Sequence, residues 1–241
     1  MIKSGCAPKE TLIVEDSVIG REAANSSCAH LMGVNNPLDV TYENLTQKIN
    51  NIEKNTMRSK WQGGKMNVLI PMAGAGSRFL KAGYTFPKPL IDVGGKPMIQ
   101  WVVDNLNVEA NYIFIVQRSH FEKYNLKETL SNFCPNNQIV QIEGITEGAA
   151  CTTLLAKQFI NNEEPLVIAN SDQFVEWSNE EFFYSCASSD VDGCILTFKS
   201  THPKWSYAKL DDNGYVFEVA EKKPISDIAT VGIYYWRHGN D

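Results

Sequence analysis

Apolar and polar positions along this chain follow two periods in turn. Short apolar runs at 67–70, 111–116, 138–142 and 166–169 have the length and β-branched or aromatic content of buried strands. Between them, residues 98–106 (opened by Pro97), 120–133 and 149–159 carry apolar side chains at helical spacing. Later strands are predicted at 193–198, 208–210, 215–219 and 230–236. This alternation predicts an α/β fold with a mostly parallel sheet and helices on both faces. Ahead of it, residues 11–17 read as a strand ending in two acids, 18–29 as a helix and 31–34 as a second short strand.

The stretch from Asn44 to Lys65 is polar, with Leu45, Ile49 and Ile52 at helical spacing in its first half and Gly63-Gly64 as a break. We expect a small N-terminal α/β fragment over 1–45, a linker over 46–65 and the main domain over 66–241. The chain has 241 residues, enough for one large α/β domain plus a fragment. Its net charge is −6 and it holds no lysine- or arginine-rich block, which argues against a nucleic-acid surface. No apolar run approaches the about 18 residues that span a bilayer, and MIKSGCAPKE lacks the apolar core of a signal peptide. The six cysteines form no Cys-x-x-Cys pair, so we expect reduced thiols, a cytoplasmic location and no membrane partner. Composition leaves a homo-oligomer open.

The chemistry concentrates in MNVLIPMAGAGSRFLKAGYTFPKPL, residues 66–90. The apolar run ends at Pro71, and Ala73, Gly74, Ala75, Gly76 and Ser77 follow as a loop with almost no side chain. Backbone amides of such a loop form a phosphate seat. Arg78 and Lys88 add two cations where a triphosphate would lie. The Walker pattern is absent, and Phe79 stands where a dinucleotide fingerprint has its third glycine. Taken together, Gly74-x-Gly76-x-Arg78-Phe79, then Pro87-Lys88-Pro89-Leu90, then Gly94-Gly95-Lys96-Pro97-Met98 resemble the signature of nucleotidyltransferases that make nucleoside-diphosphate sugars and related activated head groups. The resemblance implies a Rossmann-like nucleotide-diphospho-sugar transferase fold.

Further residues take roles from that resemblance. Asp172, after the 166–169 run, is similar to the family's Mg²⁺-holding aspartate; a turn or helix-capping aspartate is the alternative. Glu147 and Gly148 resemble the base-reading loop. Five residues before Gly148, where uridylyl and thymidylyl members usually carry glutamine, stands Glu143. An ionised carboxylate only accepts hydrogen bonds, which favours the amino group of cytosine, with adenine the second amino-bearing base, unless Glu143 is a solvated loop acid. Glu221-Lys222-Lys223-Pro224 resembles a Glu-Lys-Pro phrase, so Glu221 and Lys222 are expected at the acceptor, with Lys223 second to Lys222. The four scattered histidines are expected at the surface or at helix caps, and Trp205 and Tyr207 in packing.

The reaction implied is attack of an acceptor phosphate on the α-phosphorus of an NTP, CTP first and UTP or dTTP next, with release of pyrophosphate. Arg78 and Lys88 are the expected catalytic cations, Mg²⁺ the cofactor, and a sugar phosphate or other small phosphate ester the acceptor. Surface-glycan or capsule precursor synthesis is the expected setting. Separately, Val14-Glu15-Asp16-Ser17-Val18-Ile19-Gly20-Arg21-Glu22-Ala23-Ala24 resembles the last motif of haloacid-dehalogenase-type phosphohydrolases, without the nucleophile that family needs. The expectation is a remnant at the start of a chain cut from a longer two-enzyme polypeptide. The family's second metal-binding residue is expected beyond Asp241. A nucleotide-binding module without turnover and a phosphohydrolase are the alternatives.

Overall fold

The computed structural model describes residues 11–27, 29–59, 66–74, 83, 86–188 and 191–241. The chain forms two compact units, Met1–Gln62 with Ser178–Asp190, and Gly63–Trp177 with Val191–Asp241. No helix among the described residues is long and apolar enough to cross a membrane.

In the first unit, β1 (Leu12–Glu15) and β2 (His30–Gly33) pair in parallel, Leu12 opposite His30, with helix Val18–Ser26 between them in sequence. Arg21 ties this unit together by donating to the carbonyls of Glu15 at 3.3 Å and Val34 at 2.5 Å. Helices Tyr42–Ser59 and Asn179–Ser188 complete it. The second of these lies where the pattern of residues predicts no element. Its opening is capped, however, with the Glu181 N–H donating to Ser178 Oγ at 3.3 Å.

The second unit is built on one sheet. Its strands are β3 (Asn67–Pro71), β6 (Asn111–Gln117), β7 (Asn137–Ile142), β8 (Leu166–Ala169), β9 (Gly193–Lys199), β10 (Ser206–Leu210), β11 (Val216–Glu221) and β12 (Ile228–Trp236). The order is β11-β10-β12-β8-β3-β6-β7, with β9 also on β12. Strands β8, β3, β6 and β7 run parallel, whereas β9 to β12 join by antiparallel pairs. The sheet is therefore mixed, with a parallel half that carries the glycine loop and an antiparallel half that carries the Glu221 turn. A separate hairpin, β4 (Asp92–Val93) and β5 (Lys96–Pro97), turns through Gly94 and Gly95 at φ 62° and 87°. Two successive positive φ values define the tight turn that suits a two-residue hairpin, and glycine is the residue that adopts them without strain.

The central parallel strands β3 and β6 are buried on both faces, so Val68, Leu69, Ile70 and Ile113 to Val116 are inaccessible and read as continuous apolar runs. Helix Met98–Leu106 buries Ile99, Val102, Val103 and Leu106, one stripe at helical spacing, and ends on Asn107 in the left-handed conformation. The predicted helix over 120–133 is two helices, Arg118–Lys123 and Leu126–Phe133, because Asn125 between them takes φ 45°. The predicted helix over 149–159 also divides, into Ala149–Leu154 and Lys157–Ile160. Thr152 and Thr153 there donate back to the carbonyls of Gly148 at 3.1 Å and Ala150 at 2.7 Å, a pattern that bends helices.

At the base of the sheet Asn67 is buried, and its side chain joins three segments. Its Nδ2 donates to Asn162 Oδ1 at 3.2 Å, and its Oδ1 accepts from Asn111 Nδ2 at 3.0 Å. Truncating it takes from Asn111 Nδ2 its acceptor, while Asn162 Oδ1 keeps the Glu164 N–H at 3.0 Å. Asn67→Ala is expected to cost about 1–3 kcal/mol of stability in urea unfolding; an unchanged midpoint and slope would contradict the role given to this network.

Candidate active site

β3 leaves the sheet at Pro71, and Met72 and Ala73 continue it in buried surroundings to the exposed Gly74. The Met72 N–H still donates to Ile115 O at 2.9 Å, and Gln117 Nε2 donates to Ala73 O at 2.7 Å. The entry to the glycine loop is thus held by the neighbouring strand β6. Ala75, Gly76, Ser77 and Arg78 lie outside the described residues. Gly74 has no positive φ, and a Cβ on it would meet no atom within 4 Å.

Lys88 opens a one-turn 3-10 helix, Lys88–Leu90, between Pro87 and Pro89. The prolines restrict the backbone on either side, and the Leu90 N–H donates to Pro87 O at 2.8 Å. Lys88 Nζ forms an ion pair with Asp172 Oδ2. Both side chains are about one-third exposed, at 32% and 30%. Two sequence motifs 84 residues apart therefore meet in one place. That place is the C-terminal end of β8, next to the C-terminal end of β3, since these strands pair in parallel from Asn67 and Leu166 onward. Ligands of open α/β sheets gather at such ends.

The Asp172 loop is anchored on both sides. The Asn170 N–H donates to Gly232 O at 3.0 Å, and Asn105 clamps Val175 by accepting its N–H at 2.9 Å and donating to its carbonyl at 2.8 Å. Gly232 lies within β12 at φ 98°, where the pairing with β9 is interrupted between Thr230 and Tyr234. A Cβ on Gly232 would overlap Asn170 Nδ2 and sit 2.8 Å from Gln173 Oε1. Gln173 Oε1 is itself a buried oxygen without a hydrogen-bond partner. Asn105 was not singled out from the sequence; Asn170 and Gln173 flank Asp172 there and Gly232 lies within the predicted 230–236 strand, none with a role of its own. For Gly232 a signal existed, since a glycine inside a strand pattern marks a bulge or a close approach.

Asn170, Asp172 and Gln173 all offer oxygen atoms, which suits a hard cation such as Mg²⁺. Among the described residues, no group of three or more His, Cys, Asp or Glu could hold a metal ion. A single carboxylate such as Asp172 is compatible with an ion that takes most of its shell from phosphates and waters, as Mg²⁺ commonly does.

Glu143 follows β7 and Arg118 follows β6, and the register sets Gln117 opposite Ile142, so the two are neighbours. Arg118 Nη1 lies 2.8 Å from Glu143 Oε1, with both side chains more than half exposed. Arg118 is a further residue that sequence reasoning missed. Gly144 at φ 73° then turns the chain, and Glu147 is exposed. Gly148 is extended at φ −178°, and a Cβ there would meet nothing within 4 Å. Its carbonyl accepts from the Thr152 N–H, Thr152 Oγ1 and Thr146 Oγ1, each at 3.1 Å, which fixes the loop.

Glu221 ends β11 opposite Ser206, and the next residue of β10, Tyr207, pairs with Ala229 of β12. Ala229 precedes Ile233, which pairs with Ala169 at the end of β8. The Glu221 turn therefore lies beyond the C-terminal end of β8, on the Asp172 side. Lys222 takes φ 53° and its Nζ binds Glu221 Oε1 at 2.5 Å. That hydrogen bond, with the charge behind it, holds the Glu221 carboxyl below its ordinary pKa.

The parallel half of the sheet brings Gly74, Lys88 and Asp172 to its C-terminal edge, the place where open α/β sheets bind ligands. The chain belongs to the nucleotidyl transferase family, whose model matches residues 67–240. It is 26% identical over 176 residues to the bifunctional protein GlmU of Methanocaldococcus jannaschii, covering 70% of this chain and 39% of that protein. It is 25% identical over 176 residues to the low-salt glycan biosynthesis nucleotidyltransferase Agl11 of Haloferax volcanii, covering 70% of this chain and 48% of that one. Among solved structures it resembles the nucleoside-diphosphate-sugar pyrophosphorylase of Vibrio cholerae RC9, with a TM-score of 0.56, 27% identity and coverage of 71% and 73%. The chain spans less than half the length of these two curated relatives.

Because Gly232 combines a positive φ with close approach to Asn170 and Gln173, Gly232→Ala should lower stability by about 1–3 kcal/mol in urea unfolding. Wild-type stability in this variant would show that the cradle around the Asp172 loop yields freely.

Proposed function

We propose that this chain transfers a nucleoside monophosphate group from an NTP to a small phosphate ester and releases pyrophosphate. The observation that carries the reading is the meeting of Lys88 and Asp172 beside the exit of β3. An anionic acceptor phosphate needs no protein nucleophile, so the work left to the protein is alignment and charge stabilisation. Arg78 grips the β- and γ-phosphates, since its fork suits bidentate contacts. Lys88 neutralises charge that develops on the α-phosphate. Mg²⁺, when bound, supplies further neutralisation at the phosphates, and Asp172 is the residue that would hold it. Gly74 and Gly148 are demanded neither by a positive φ nor by packing in the protein itself, which supports close approach of a ligand to their backbones.

On this reading Glu143 and the Glu147–Gly148 loop face the base, and Glu221 and Lys222 face the acceptor. Glu143, ionised in its pair with Arg118, accepts hydrogen bonds, which supports a base with an amino group and hence CTP. The named roles of the Haloferax and Vibrio proteins, in glycan biosynthesis and in nucleoside-diphosphate-sugar chemistry, support a sugar phosphate as acceptor and a place in surface-glycan or capsule precursor synthesis. We assign the reaction to the cytoplasm, where NTPs are supplied. The phosphohydrolase resemblance of residues 14–24 rests on sequence alone. In this structure the Glu15 carboxylate accepts from the Ser17 N–H and Oγ at 2.9 and 2.7 Å, an arrangement that closes a turn.

The test is pyrophosphate release with each common NTP, Mg²⁺ and a panel of sugar 1-phosphates and phosphocholine. CTP should be turned over in preference to UTP, and Lys88→Ala should lower kcat/KM by about 10²–10³ with the fold intact. Near-normal turnover by Lys88→Ala would refute the assignment of Lys88, and equal use of UTP would remove the base argument at Glu143.

A further inference from the structure

We propose, on the nucleotidyl-transfer reading above, that Lys88 is an internal stand-in for the divalent cation: its ammonium holds the Asp172 carboxylate in the nucleotide-free protein and yields it only when a triphosphate draws the ammonium away. The backbones at both ends of the pair are fixed, so the contact is not a chance meeting of two loose surface chains. Lys88 sits between two prolines in a single helical turn. Asp172 stands between the Asn170–Gly232 hydrogen bond and the Asn105–Val175 clamp. A carboxylate already neutralised by an ammonium offers little to a second cation, and the ammonium repels that cation directly. No other group of acids among the described residues compensates.

A triphosphate changes this balance. It presents several anionic oxygens to Lys88 where Asp172 presents one carboxylate. Once the ammonium moves to the phosphates, Asp172 is left facing like charge, and a divalent cation between carboxylate and phosphate is then stabilised by both. Metal and nucleotide thus bind as a linked pair, each raising the affinity for the other by the same factor. If Lys88 and the cation instead had separate places, the Asp172 charge would weaken metal-free nucleotide binding by simple repulsion, to the same extent with or without Lys88.

The two accounts separate in a double-mutant cycle read by calorimetric binding of CTP in chelator, or of whichever common NTP binds best with Mg²⁺. The proteins are wild type, Asp172→Asn, Lys88→Met and the double variant, with circular dichroism as the check on folding. Asp172→Asn removes the carboxylate that holds Lys88, so its gain in metal-free affinity should exceed the gain seen in the Lys88→Met background by about two- to fivefold, the usual range for a partly exposed ion pair. Equal gains in the two backgrounds, or no gain in either, overturn the proposal. Wild type that binds Mg²⁺-NTP normally while the cycle is additive removes only the Lys88 stand-in. Wild type that binds no NTP with Mg²⁺ removes the functional reading, and the stand-in with it.

Discussion

The register of β3 between β6 and β8 is the constraint on which the rest of this structure depends. Asn67 stands opposite both Asn111 and Leu166, and its buried amide bonds Asn111 and Asn162. Side chains on a strand alternate between faces, so a slip of one residue would send every side chain of β3 to the opposite face of the sheet. It would also shift the strand ends against each other. Gly74 and Asp172 stand at adjoining strand ends only while β3 and β8 start level, and Glu143 meets Arg118 only while β6 and β7 keep their pairing. An amide network at one edge of the sheet thereby sets the geometry of the chemistry at the other.

The charges at the C-terminal edge occur as opposed pairs: Lys88 with Asp172, Arg118 with Glu143, and Lys222 with Glu221. Exposed pairs of this kind contribute little to stability. Their interest lies in what a polyanionic ligand does to them. On the proposed reading, each pair holds one cation that can turn toward phosphate and one carboxylate that can then serve a metal, an amino group or a hydroxyl, and a site built from such pairs would redistribute its charge when phosphates arrive.

Much of the fold is legible in the sequence because the central strands are buried on both faces. A run such as 111–116 has few alternatives, and the strand observed is Asn111–Gln117. Helix Met98–Leu106 is equally plain, since one stripe of four buried residues ends at a left-handed asparagine. What the pattern misses is set by single residues or by partners distant in the chain. Asn125 divides one helix through its own φ, and Ser178 starts another in a stretch of aromatic residues with weak periodicity. The antiparallel pairing of β9 to β12 depends on long-range register, which strand composition does not encode. At the site, Lys88 and Asp172 are recognisable from their phrases, and the structure adds that they touch. Arg118, Gln173 and Gly232 gain meaning only from neighbours remote in sequence, although a glycine in the middle of a strand already asks for a reason.

The central claim is that the ends of β3 and β8 form one nucleotide site. Amide hydrogen exchange with and without CTP and Mg²⁺ tests it most directly. The account predicts slowed exchange at residues 72–74 and 170–173 together, with the amides of β1 and β2 unchanged. Protection confined to the first unit, or at only one of those two strand ends, would contradict it.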